Sequence, residues 1–346
     1  MPLLLTDNDV RELLTISNAI DVVEIALKEF QLGKAENWPR NHFYAHSGAG
    51  TFFMRNFHGA VAALGFAGLR ITTDMLDVAA HRPDQRPFGA FLLFDIKTAA
   101  LLAVIHDHEL QRIRVGAESG VAMRHLARAD AATAAVLGAG FQAETQLAAA
   151  CAVRRIESVA VYSPTPERRS AFAGRMSERL SIAVSAVGSA QEAVAGKEIV
   201  LASTNASSPV LDGSWLAPGV HVTSIVNSDQ RFPRRELDDV TFARAALVAI
   251  GYVEQTKQDH AADIFQAIET GVLDWRRICQ LGEVLVGSRQ GRIAPEEITV
   301  FKNNGLAVEF VALAARTYDL ARAQGRGEKI PDRYFSQRRL NGQTRG

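Results

Sequence analysis

The stretch VLGAGFQAE, residues 136–144, sets Gly138, Gly140 and Ala143 at G-x-G-x-x-A spacing. A strand-like run precedes it and an alanine-rich helical run follows, the setting in which that spacing carries meaning. Gly138 permits a tight turn, Gly140 leaves room for a pyrophosphate, and Ala143 keeps helix and strand close. The helix opens at Phe141 and Gln142, and its free amides and dipole favour phosphate charge. A dinucleotide is the ligand this chemistry implies. About 20 residues further on, an acidic side chain would accept from the ribose 2′-hydroxyl of NAD. Ser163 stands there instead, in VYSPTPERR, with Thr165, Arg168 and Arg169 close by. No carboxylate opposes a 2′-phosphate, so NADP(H) is favoured over NAD(H). Arg168 and Arg169 read equally as a solvated helix face.

Asp229 follows the run HVTSIV, at the carboxyl edge of a parallel sheet, where ligands of such sheets bind. There a carboxylate exchanges a proton with an amine or imine nitrogen as hydride moves at the adjacent carbon. The alternative is an Asp that merely starts a turn. Arg114 opens a helical segment, and Arg40 and Arg70 sit in polar breaks between apolar runs. Converging on one cleft, they would hold a substrate carboxylate by bidentate hydrogen bonds; singly, each is an ordinary surface cation. HDHE, residues 106–109, lacks further ligands at metal spacing and reads as a polar turn after a strand, so no metal is expected. No G-x-S-x-G, H-E-x-x-H or Walker loop is present.

The elements that must position these residues fall into two halves. Thr6 with Asp9 resembles a helix N-cap, and Ser17 opens a second helix that Gly33 stops. TFFMRNF, GFAGLRITT, GAFLLFD and ALLAVIH then read as antiparallel strands over residues 51–105. A helix through AESGVAMRHLAR links them to an alternation of strands (TAAVLGAG, SVAVYS, EIVLAST, HVTSIV, ALVAIG) and helices, which implies a parallel sheet covered on both faces. GLAVEFVALAARTYDLARAQG is an amphipathic helix able to fold back on the first half, and the tail from Lys329 is polar, basic and expected to be mobile. The fold class is α/β: a Rossmann-type doubly wound parallel sheet plus an α+β domain.

Composition narrows the partners. The 346 residues suffice for two domains, and Lys+Arg 38 against Asp+Glu 38 gives no field to steer a polyanion, so nucleic acid is not expected. No apolar run approaches a membrane span, the N-terminus lacks a signal-peptide core, and Cys151 and Cys279 fit a reducing compartment. A cytoplasmic location is expected.

Several stretches together go beyond a shared glycine loop. RIRVGAESGVAMRHLAR, LGAGFQA, PVLDGSWLAPGVHV and GRIAPEEITVFKNNGLAVEF resemble segments of the ornithine cyclodeaminase/mu-crystallin family, over the chain from its first helix to about residue 325. The resemblance implies a homodimer and NAD(P)-dependent chemistry on a small amino or imino acid. It implies a discontinuous substrate and dimerisation domain, residues 1–125 and 310–346, around a cofactor domain, 126–309. It places Arg40, Met54, Arg70 and Arg114 toward substrate, Asp229 at the catalytic carboxylate, and Thr204, Asn205, Val226, Lys302 and Asn303 beside the cofactor. Two departures stand out. Arg70 in GLR replaces the lysine of the family's G-x-K motif, and guanidinium is a poor proton carrier although it can still clamp a carboxylate. The loop from Asp229 to the REL motif ending at Leu237 is one residue longer than in ornithine-using members. The expectation is an imine or ketimine reductase or amino-acid dehydrogenase in which Asp229 moves the proton and Arg70 assists. The alternatives are a cyclodeaminase, turning ornithine into proline and ammonia with bound NAD, and a non-catalytic NADP(H) and small-ligand binder.

Overall fold

In the computed structural model, residues 1–48, 50–76, 87–226, 229 and 231–335 are described. The chain opens with a short apolar strand, β1 (Leu3–Leu5), and helix α1 (Asp7–Leu13), capped as expected by a reciprocal Thr6–Asp9 box. Helix α2 (Ile16–Gln31) starts one turn position earlier than Ser17 suggested, because Thr15 takes the cap and accepts from the Asn18 amide. β2 (Ala35–Ser47), β3 (Gly50–Val61), β4 (Phe66–Leu76), β5 (Phe88–Asp95) and β6 (Leu101–His106) form an antiparallel meander. β2 was not legible: Pro39 and a bulge between Trp38 and Asn41 break its alternation. Helix α3 (Asp107–Leu126) begins within HDHE, so that segment is a helix start rather than a turn.

The second half contributes β7 (Thr133–Leu137), β8 (Ser158–Tyr162), β9 (Ala183–Ala186), β10 (Ile199–Ala202), β11 (His221–Ser224), β12 (Ala245–Ile250), β13 (Ile278–Gln280) and β14 (Ile298–Lys302). All pair in parallel in the order β13-β12-β14-β11-β10-β7-β8-β9. The chain runs outward from β7 through β8 to β9, then restarts at β10 on the other side. The β7/β10 junction is thus the switch point where such sheets open a crevice. Helix α4 (Phe141–Val153) follows β7, and α5 (Pro166–Leu180) follows β8.

β15 (Glu328–Lys329) returns to the first sheet beside β1, giving the order β15-β1-β6-β5-β4-β3-β2. The last long helix, Ala307–Gln324, packs on α2, β3 and β4. Its buried Phe310 stacks on Phe91 of β5 with ring centres 6.2 Å apart. One continuous apolar core therefore joins the first sheet, α2 and α3 to β7 and α4, and this rigidly sets the two halves of the crevice against each other.

Candidate active site

The crevice holds a cavity of about 670 Å³, within the range of small-molecule and cofactor sites. Its cofactor side is built locally. Gly138 has φ +108°, and a Cβ there would lie 2.3 Å from the Ser203 carbonyl oxygen after β10, so only glycine fits. Gly140 is different: at φ −92° its Cβ would meet nothing within 4 Å among the described residues, and it lines the cavity. Gly140 caps α4 without a side-chain hydrogen bond, which leaves the first amides of Phe141 and Gln142 directed at a ligand. Ala143 is fully buried where the helix meets the strand. Ser203 lines the same space, and its buried Oγ has no hydrogen-bond partner among the described residues. An uncapped helix end, an open glycine and an orphaned hydroxyl in one crevice fit a dinucleotide.

Ser163, Pro164, Thr165 and Arg168 line the far end. Arg169 does not: its guanidinium donates to the Ser163 carbonyl at 2.9 Å and lies over Tyr162. Arg168 is exposed beside Ala139, Gly140 and Arg175. Thr204, Asn205, Val226, Lys302 and Asn303 all line the cavity, but several are internally committed. Thr204 gives its amide and hydroxyl to Glu236, at 2.5 and 2.9 Å. Lys302 Nζ is buried against Asp263 (2.8 Å), Ser224 Oγ (3.1 Å) and the Val226 carbonyl (2.8 Å). Glu236, in the REL motif, also accepts from Ser224 Oγ and the amides of Ile225 and Val226, so one buried carboxylate fastens the loops after β10 and β11 together. In the sequence the motif marks only the length of the loop after Asp229; its role as a hub carries no local signal.

The other wall is arginine-rich. Arg40, Arg70 and Arg114 line the cavity as expected, and Arg55 joins them. Met54 does not line it. Successive strand residues alternate in direction, so with Arg55 and Phe57 facing in, Met54 lies on the opposite face of the sheet, paired with Phe43 and Thr73. Arg70 binds Asp107 bidentately, at 2.5 and 2.6 Å. One edge of its guanidinium is thus spent on the protein, leaving Nη1 and the remaining Nη2 hydrogen for a ligand. Asp107 comes from HDHE; the two histidines of that segment diverge, His106 to Asp7 and His108 onto Phe141.

Arg40 pairs with buried Asp259 at 2.7 Å and donates to the Asn304 carbonyl at 2.8 Å. Burial raises the Asp259 carboxyl above its ordinary range, with Arg40 opposing. Arg114 donates to Glu118 (2.7 Å), Asn303 (3.0 Å) and Glu309 (3.3 Å). Both glutamates are fully buried, and burial pushes both carboxyls upward, so this pair retains a proton more readily than exposed carboxyls do. Phe57 and Phe310 floor the cluster: Arg40 and Arg70 lie over Phe57, Arg70 and Arg114 over Phe310, each guanidinium 4.9–5.6 Å from the ring centre.

Asp229 is buried, and its Oδ1 accepts from the amides of Arg231 (3.0 Å) and Phe232 (2.8 Å). It therefore starts a turn, and its charge also acts on Arg55, His42 and Asp259 of the arginine wall. The two readings of this residue are compatible. Residues 77–86 of the loop DVAAHRPDQRPFG, and the tail beyond Phe335, lie outside the described residues.

A crevice with an uncapped glycine-loop helix on one side and a buried arginine cluster on the other defines a dinucleotide-dependent enzyme of small anionic substrates. The family model described as the ornithine cyclodeaminase/mu-crystallin family matches residues 1–325, and the chain belongs to that family. The chain is 31% identical over 330 residues to a Delta(1)-pyrroline-2-carboxylate reductase of Bacillus cereus, covering 95% of this chain and 99% of that one. Its structure resembles that of Thermococcus litoralis Delta(1)-pyrroline-2-carboxylate reductase in complex with NADH and L-proline, with TM-score 0.86, 32% identity and coverage of 95% and 100%. An archaeal alanine dehydrogenase dimer with bound NAD matches with TM-score 0.82 and 28% identity, covering 95% and 99%.

Proposed function

We propose that the chain works in the reductive direction, turning the C=N bond of an imino acid into an amine at the expense of NADPH. It is an NAD(P)-dependent oxidoreductase of amino or imino acids; direction, substrate and the preference for NADPH are our reading. The observation that carries it is the cavity itself, whose lining combines Arg40, Arg70 and Arg114 with the open Gly140 end of α4; the charge of Asp229 acts on Arg55 and Asp259 in that lining, which supports a place for it beside the substrate. When bound, the reduced nicotinamide supplies hydride to the imine carbon. Arg40, Arg70 and Arg114 fix the substrate carboxylate and so orient the reacting carbon. Asp229, held by its own turn, carries the proton for the nitrogen. Arg70 orients and does not transfer protons, because guanidinium is a poor proton carrier and the Asp107 partner holds it in place. Net reduction asks nothing more of that position, which favours it over cyclodeamination.

Ser163 at the end of β8 and the exposed Arg168 beside it support NADP(H). The outer face of the first sheet exposes Trp38 (62%), Phe43 (54%) and Phe88 (53%) around Met54, an apolar surface that supports a homodimer through this sheet. The packing of the last long helix and β15 supports assigning 1–125 and 310–346 to one substrate and dimerisation unit around 126–309.

The test is oxidation of NADPH and of NADH with cyclic imines, and with 2-oxo acids plus ammonia or methylamine, beside an ammonia assay with ornithine and NAD. Stoichiometric consumption of NADPH is expected. Ammonia from ornithine without net cofactor consumption would replace this reading with a lyase, and cofactor binding without turnover would leave a binding protein.

A further inference from the structure

We propose that the substrate carries a second anionic group and that Arg55 receives it, making dicarboxylic imino acids the preferred substrates. The inference rests on the reductase reading above. On the sheet and helix wall of the cavity, Arg40, Arg70 and Arg114 each already hold a protein carboxylate: Arg40 holds Asp259, Arg70 holds Asp107, and Arg114 holds Glu118. Arg55 is built differently. Its Nε donates to the neutral acceptor His42 Nε2 at 3.3 Å, and its guanidinium lies 5.2 Å from the centre of the Phe53 ring. Among the described residues no carboxylate reaches it at ion-pair distance. His42 supplies no negative charge, and burial, then Arg55 and Arg40, push its imidazole down to about 4, so it stays neutral at working pH. Asp229 and Asp259 act on Arg55 only through space. A half-buried cation close to Arg40 and Arg70, with no carboxylate at ion-pair distance, is better satisfied once an anion arrives, and a guanidinium fork matches a carboxylate.

Register fixes where that anion sits. Phe57 pairs with Arg70, whereas Arg55 pairs with Thr72 on β4 and with His42 on β2. Arg55 is therefore on the same sheet face as Arg70 but two residues further along, about 7 Å from that level. With the α-carboxylate on Arg40, Arg70 and Arg114, this offset matches the far end of a four- or five-carbon diacid. A monocarboxylic substrate would leave Arg55 facing hydrocarbon.

The experiment compares imines formed from ammonia with oxaloacetate and 2-oxoglutarate against those from pyruvate and 2-oxobutyrate, in wild type, Arg55→Met and Arg55→Lys. The readout is the ratio of dicarboxylic to monocarboxylic kcat/KM. In wild type a ratio of at least about tenfold is expected. Arg55→Met is expected to collapse it chiefly through KM, with Arg55→Lys intermediate. A wild-type ratio near one, or equal losses on both substrate sets in Arg55→Met, would overturn the proposal, the latter by placing Arg55 on the α-carboxylate. A second arm needs no turnover: thermal stabilisation of the cofactor-loaded proteins by L-aspartate and L-glutamate against L-alanine. Selective stabilisation of wild type by the diacids, lost in Arg55→Met, would sustain the anion site even if no imine is reduced; no selectivity would sink it independently of the reductase reading.

Discussion

The two walls of the cavity are made in opposite ways. The cofactor wall is a local construction: strand β7, a glycine turn and helix α4 follow one another within about twenty residues, and each glycine has a separate physical reason to be there. The substrate wall is assembled from afar. Arg70 on β4 meets Asp107 at the start of α3, Arg40 on β2 meets Asp259, and Arg114 meets Asn303 and Glu309 nearly two hundred residues away. A local device tolerates change elsewhere in the chain; a network of buried ion pairs depends on every element that brings its members together, and losing one partner leaves a buried charge exposed to a low dielectric.

Asp229→Asn should give the largest effect, because it removes the proposed proton carrier while keeping the turn's hydrogen-bond geometry. A fall in kcat of roughly 10²–10⁴-fold is expected, with cofactor affinity, read by fluorescence titration, largely retained. Loss of cofactor binding in step with kcat would show that the residue belongs to the cofactor wall instead.

The glycines then sharpen the contrast within the local wall. Gly138→Ala forces a Cβ against the Ser203 carbonyl at a positive φ, so a loss of stability on the order of 2 kcal/mol is expected. Gly140→Ala meets open space and should leave the melting temperature within a few degrees, yet weaken cofactor binding by about tenfold, since it fills the phosphate approach. Equal melting temperatures for the two variants would contradict the geometry of the turn. The smallest effect belongs to the exposed Arg168: Arg168→Ala should lower the ratio of NADPH to NADH efficiency by roughly fivefold to tenfold, and an unchanged ratio would return that arginine to the solvated helix face.

Legibility followed the same division. G-x-G-x-x-A, the strands flanking it and the antiparallel runs from Thr51 to His106 were readable because hydrophobic period and turn chemistry are local. Met54 was drawn toward the substrate, whereas its neighbour Arg55 faces the cavity; a one-residue difference on a strand reverses the face, and nothing within FFMR states which face is inward. Asp107 was hidden in HDHE, which looks like a polar turn until β4 brings Arg70 alongside. Asp259 had no motif at all, and the REL motif gave no hint of what Glu236 does, since both roles arise from burial next to groups distant in sequence.

By itself the sequence determined much of the nucleotide half: the alternation of five of its eight strands with helices, the glycine loop, the missing acidic selector at Ser163, and through several separated segments the family; β9, β13 and β14 were not read. Those are properties of spacing and of backbone sterics, which neighbouring residues settle among themselves. Tertiary structure alone decided that Arg40, Arg70 and Arg114 are already paired and that Arg55 meets no carboxylate at ion-pair distance among the described residues. Ion pairing at 2.5–2.7 Å and the loss of solvent around a guanidinium exist only once β2, β3, β4 and α3 are packed together.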